Sequence, residues 1–230
     1  MQLSAEKQKQ ADLLYLILGG IFIASLVSCN LIFQKFFVWD AFGVYTFEIS
    51  VGILPYPITF LVTDLISEIW GAKRANRVVL AGLVSSIFVL GVVTIADMVP
   101  ATNWSPVSDS EFTKVFGLTT VSVGASMMAY LAAQFIDIRL FHFWKRLTNG
   151  KHLWIRNNFS TMTSQLVDTA VVVGLLCWAG AIDWDRFGAL VFAGWLFKAI
   201  VAALDTPVLY LATWIIRSFL GLKGAEEVEF

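Results

Sequence analysis

Apolar residues along this chain gather into stretches whose length matches a lipid bilayer. A spanning helix needs about 20 mostly apolar residues. Six such stretches occur, at roughly 13–33, 43–66, 77–98, 117–140, 160–181 and 187–216. Between the third and fourth lies DMVPATNWSPVSDSEFTKVF, rich in Pro, Ser, Asn and Trp, which predicts an exposed loop with room for a short interfacial helix. Within the second stretch Pro55 and Pro57 remove backbone donors and predict a bend or interruption. Gly71 is placed to end that helix, just before Lys73 and Arg74.

Composition agrees with the pattern. Of 230 residues, 58% are hydrophobic and 14% charged, with a mean hydropathy of +0.75, far from the composition of a soluble domain. The net charge of -1 lacks the one-sided basic excess of a nucleic-acid binder. Cys29 and Cys177 sit in apolar runs without metal-ligand spacing and read as small core residues. The opening MQLSAEKQKQAD is polar and mixed in charge, and the apolar stretch after it is long enough to span, which argues against a cleavable signal peptide.

Basic residues orient the spans. With the N-terminus cytoplasmic, twelve Lys and Arg fall on the cytoplasmic side; only Lys35, Lys114 and Arg186 fall on the other, and Lys198 lies inside the sixth span. Such asymmetry over short loops sets topology. The expectation is an all-α membrane protein, a bundle of six transmembrane helices with both termini cytoplasmic. It comprises an N-terminal arm at 1–12, a transmembrane domain at 13–217 and a tail at 218–230.

Polar side chains inside the spans carry the candidate chemistry, because charges in lipid are costly. Pro57, Phe60, Asp64 and Glu68 follow helical spacing on one face. The neutral account is a helix end in the headgroup region, with Glu68 wetted and Asp64 bonded to a neighbour. In the first span Gly20 and Ala24 have small-xxx-small spacing, which favours close helix packing. Asn30 near its outer end either bonds a neighbouring helix or lines a cavity. The third span reads as scaffold. In the fourth, Tyr130, Gln134, Asp137 and Phe141 share a face; the neutral account pairs Asp137 with Arg139 or His142. In the fifth, Thr161, Gln165 and Asp168 repeat the spacing, so Gln-x-x-Asp occurs on two antiparallel helices. In the sixth, Lys198 is too deep for easy snorkelling and needs a carboxylate partner or must lose its charge. Trp195, Ala202 and Asp205 share its face, and a structural Lys–Asp bridge between helices is the neutral account.

No Ser-His-Asp arrangement, glycine-rich phosphate loop or His/Cys metal cluster accompanies these groups. His142 and His152 stand ten apart in a basic segment, without metal spacing. Neither an enzyme nor a bound cofactor is expected. The remaining chemistry is recognition of a small molecule in a cavity of the bundle.

PYPITFLVTDLISEIWGAKRA, YLAAQFIDIRLFHFWKRLTNGKHLWIRNNFSTMTSQLVDT and FKAIVAALDTP, in that order, resemble the queuosine precursor transporter family, formerly labelled a vitamin uptake transporter family. The resemblance covers residues 50 to 210; the N-terminal arm and the acidic tail GAEEVEF lie outside it. It implies six helices in a bacterial inner membrane and import of 7-cyano- or 7-aminomethyl-7-deazaguanine, or of queuine. For such a base, one of Asp64, Asp137 or Asp168 would take the guanine-like edge and Gln134, Gln165 or Asn158 would read the rest. Lys198 would be a counter-charge or a donor to the carbonyl. Glu68, Asp205 and Asn30 complete the candidate set. The alternative is a substrate-capture subunit of an energy-coupling importer, with Gly20 and Ala24 as a docking face. Partners are thus the base and the lipid bilayer; monomer and homodimer both fit.

Overall fold

Lipid offers no partner to backbone polar groups, so apolar stretches satisfy their own as helices. The computed structural model describes residues 4–32, 35–41, 43, 45–116, 120–178, 183–223 and 226–228. Among these, seven α-helices form: α1 (Ala5–Ile32), α2 (Tyr56–Trp70), α3 (Ala72–Met98), α4 (Asp109–Phe116), α5 (Thr120–Leu147), α6 (Leu153–Trp178) and α7 (Phe187–Leu220). Four segments of the described residues are long and apolar enough to cross a membrane: Ala5–Ile32, Val51–Trp70, Ala72–Met98 and Trp184–Leu220. α5 and α6 have 28 and 26 residues, but they carry the Gln, Asp and Asn residues singled out above.

The expected span at 43–66 is corrected. Residues Phe36–Ala41 (β1) and Tyr45–Ser50 (β2) pair antiparallel, from Phe36↔Ser50 to Ala41↔Tyr45. The turn contains Gly43 at φ +71, whose N–H donates to Asp40 Oδ1 at 3.1 Å. A 3₁₀ turn at Val51–Ile53 follows, and α2 starts only at Tyr56. Tyr45, Thr46, Phe47 and Ile49 favour a strand as much as an apolar helix. Pro55 at the N-cap and Pro57 in the first turn fit a helix start, whereas a helix interior would reject both. Gly71, at φ +80, ends α2 as expected and turns the chain into α3.

The N-terminal arm is largely helical, and the loop after α3 holds the short helix for which the sequence left room. α1 begins at Ala5, so most of the arm at 1–12 is helix. Ala11 is fully buried, and Lys7 Nζ donates to the Leu220 carbonyl at 3.1 Å. In the loop after α3, α4 forms behind a capping box. Ser108 N–H donates to Glu111 Oε2 at 2.9 Å while Glu111 N–H donates to Ser108 Oγ at 3.3 Å. The first of these bonds holds the Glu111 carboxyl below its ordinary value.

α1 packs on α2 and α3, α5 on α6, and α6 on α7. The largest fully buried apolar side chains include Phe22, Ile66, Ile69, Val79, Ile138 and Phe141. The close approach of α1 and α3 runs through Gly82. A Cβ there would lie 2.5 Å from Phe22 Cε1 and 3.0 Å from Leu26 Cδ2. Gly20 and Ala24 do not make it: both are exposed, and the buried Gly19 faces Val78 instead. Phe22 has no solvent side to move into, so Gly82→Ala should destabilise by about 1–3 kcal/mol. A lowered thermal midpoint in detergent, absent from Gly20→Ala, is the check.

Candidate functional site

Three helical stripes meet in one cleft. Tyr56, Phe60 and Asp64 come from α2, Asn157, Thr161 and Gln165 from α6, and Lys198, Ala202 and Asp205 from α7. Within each stripe the spacing is three or four residues, so each helix turns one face to the space between them. The free space between them, counted to its open mouth, is about 460 Å³. Phe60 and Phe197 give the lining flat apolar faces.

At one end of the cleft Lys198 finds its carboxylate. Its Nζ lies 2.6 Å from Asp168 Oδ2 on α6, and the Tyr56 hydroxyl donates to the same oxygen at 2.8 Å. The ammonium also stands 4.8 Å from the Tyr56 ring centroid. The bridge is therefore between α7 and α6; Asp205, on Lys198's own face, makes no ion pair among the described residues. Tyr56 is steadied by Phe60 and Tyr130, whose ring centroids are each 5.5 Å away.

Behind the cleft α2 and α5 share a buried polar layer. Gln134 Nε2 donates to the Tyr130 hydroxyl at 2.6 Å, and Thr63 Oγ1 donates to Gln134 Oε1 at 3.3 Å. Asp64 and Asp137, 1% and 0% exposed, are neighbours there. Ser164 Oγ donates to Asp137 Oδ1 at 3.0 Å. The pairing of Asp137 with Arg139 or His142 is thus replaced by contacts with α2 and α6.

Glu68, one turn beyond Asp64, is neither wetted nor part of the cleft lining. It is 2% exposed. Its Oε1 lies 2.6 Å from Arg156 Nη2 and 2.8 Å from Arg217 Nη2, and its Oε2 lies 3.5 Å from Lys145 Nζ. Lys145 also reaches Glu227 of the C-terminal tail at 2.9 Å. The tail is tied down as well by Val228 N–H donating to the Ile69 carbonyl at 2.8 Å. Charges from α2, α5, α6, α7 and the tail therefore lock one end of the bundle.

The remaining candidates separate. Asn158 Nδ2 donates to Thr206 Oγ1 at 2.7 Å and to the Trp154 carbonyl at 2.9 Å, tying α6 to α7 outside the cleft. Its neighbour Asn157 lines the cleft instead. Asn30 lines a different cavity, with Asp168 in its wall. Tyr56, Asn157 and Arg156 were not singled out in sequence. Asn157 lies one turn before Thr161 and Gln165 and was visible by extending that stripe; Tyr56 and Arg156 gave no local signal. Among the described residues no group of three or more His, Cys, Asp or Glu could hold a metal.

Comparison with known proteins fits this architecture. The chain is 28% identical over 194 residues to a protein of Bacillus subtilis named "Probable queuosine precursor transporter", covering 76% of this chain and 82% of that one. It is 24% identical over 212 residues to a Haemophilus influenzae protein of the same name, covering 86% and 85%. It is 23% identical over 162 residues to the "Queuosine precursor transporter" of Escherichia coli, covering 70% of each. No solved structure matches the chain. A family model described as "Putative vitamin uptake transporter" matches residues 50–212, a stretch that contains α2 through most of α7 and every residue lining the cleft, and the chain belongs to that family of transporters.

Proposed function

We propose that this protein imports a 7-deazaguanine precursor of queuosine across a bacterial inner membrane, through six crossings with both termini cytoplasmic. The observation that carries the reading is the cleft between α2, α6 and α7, in which carboxylates, amides and an ammonium stand beside aromatic rings inside an apolar bundle. The names of the relatives support the substrate class, and the basic residues support the orientation.

A deazaguanine presents ring N–H beside exocyclic NH₂. A carboxylate accepts both hydrogens, and Asp64 is the acid that α2 turns into the cleft. Gln165 or Lys198 donates to the neighbouring carbonyl, and Phe60 or Phe197 covers the flat face. Asp205, with no ion pair among the described residues, is free to face an aminomethyl ammonium. Asp205→Asn should then weaken 7-aminomethyl-7-deazaguanine relative to the 7-cyano compound by about 1.4 kcal/mol, or tenfold. Competition between the two compounds measures it.

Ligand-induced stabilisation tests the site. At about 100 times its Kd, 7-aminomethyl-7-deazaguanine should raise the stability of the purified protein by about 2.7 kcal/mol, adenine should not, and Asp64→Asn should erase the effect. Equal stabilisation by adenine, or full stabilisation of Asp64→Asn, Asp137→Asn and Asp168→Asn alike, would refute the assignment.

One observation favours a second reading, a substrate-capture subunit docked on an energising complex. Gly20 and Ala24 are exposed on α1, and a Cβ at Gly20 would meet nothing within 4 Å. Such a subunit would bind the base yet fail to transport it alone.

A further inference from the structure

Three of the cavities lie in series. Starting near α4, the free space of the first is about 440 Å³ and of the second about 530 Å³, each counted to its open mouth, and the two share Asn30, Ser86 and Met127 in their walls. The second shares Tyr56 with the α2–α6–α7 cleft. Asp168 belongs to the wall of the second cavity and Lys198 to that of the cleft. The Lys198–Asp168–Tyr56 contacts therefore form the partition between them.

At the first junction, beside Met127, two polar groups stand without a protein partner among the described residues. They are Asn30 Nδ2 and the hydroxyl of Ser86, a residue only 5% exposed. Buried polar atoms in native proteins are normally satisfied. An amide and a hydroxyl between apolar walls suit a flat heterocycle with a hydrogen-bonding edge.

We propose that these cavities are the permeation path, and that Asn30 and Ser86 form a first binding site for a planar base before it passes the Lys198–Asp168–Tyr56 partition. The inference rests on the import reading above, which places the end near α4 outside the cell. Passage requires Asp168 to release Lys198 and Tyr56, a change of partners within one ion pair.

Thiol accessibility tests it. In a Cys29→Ala/Cys177→Ala background, Asn30→Cys and Ser86→Cys are treated in right-side-out vesicles with a charged methanethiosulfonate. Phe88→Cys, whose native side chain is 70% exposed on the apolar face of α3, serves as control. Both path cysteines should react and the control should not. At about ten times its Kd, 7-aminomethyl-7-deazaguanine should slow their labelling about tenfold. If neither cysteine reacts, the path is wrong. Labelling that the base leaves unchanged, in protein that still takes the base up, removes the first binding site. Reactive path cysteines in a protein that takes up no deazaguanine uphold the path and locate the failure in the choice of base.

Discussion

Glu68→Gln should be among the most destabilising single substitutions in this protein. Arg156, Lys145 and Arg217 converge on one carboxylate, and the side chains of Arg156, Lys145 and Glu68 are 2%, 9% and 3% exposed. Breaking a buried ion pair by removing one partner costs about 3–5 kcal/mol, because the other charge stays buried without compensation. Glutamine keeps an acceptor but removes the negative charge that the three cations share, of which Lys145 also reaches Glu227. Thermal unfolding in detergent reads the loss. The double variant Glu68→Gln/Arg156→Met removes one charge of each sign and should recover part of it. Recovery should be incomplete, since Arg156 also donates to the Gly150 carbonyl at 2.8 Å and lies over the Phe141 ring at 5.5 Å.

The second large effect concerns Lys198 and Asp168, where stability and transport should part. Lys198→Met strands a carboxylate that, among the described residues, keeps the Tyr56 hydroxyl as its hydrogen-bond donor, and Asp168→Asn strands an ammonium. Each should cost about 3–5 kcal/mol and abolish uptake. The neutral double variant Lys198→Met/Asp168→Asn should regain most of the stability, since paired replacement of a buried bridge by uncharged groups is often close to neutral. It should still fail to take up substrate, because the ammonium that faces the cleft is gone. A bridge that only holds α6 to α7 would behave otherwise, with uptake returning together with stability.

These two sites also mark how far the sequence could be read. Helical spacing alone gathered Asp64 with Phe60, Gln165 with Thr161 and Asp205 with Lys198, and these residues line one cleft. The need of Lys198 for a carboxylate was legible from the cost of burying it, but its choice of Asp168 over Asp205 was not. The choice depends on how α6 and α7 are rotated against each other. Glu68 resembled a helix end near water because its partners come from α5, α6 and α7, 77 to 149 residues away. The hairpin at 36–50 was hidden for a different reason. A hydropathy window sums apolarity and is blind to the β preference of Tyr, Thr, Phe and Ile, so the strand merged with the helix after it. The tail lay outside the family resemblance, and nothing in GAEEVEF announced that Glu227 and Val228 would dock on the end of α2.

The most direct test of the central claim is uptake of labelled 7-aminomethyl-7-deazaguanine into liposomes containing only this protein, with adenine as competitor. Import through the α2–α6–α7 cleft predicts saturable uptake that adenine does not inhibit and that Asp64→Asn abolishes. Tight binding of the base with no uptake would contradict a self-sufficient transporter, and absence of both would contradict the deazaguanine assignment itself.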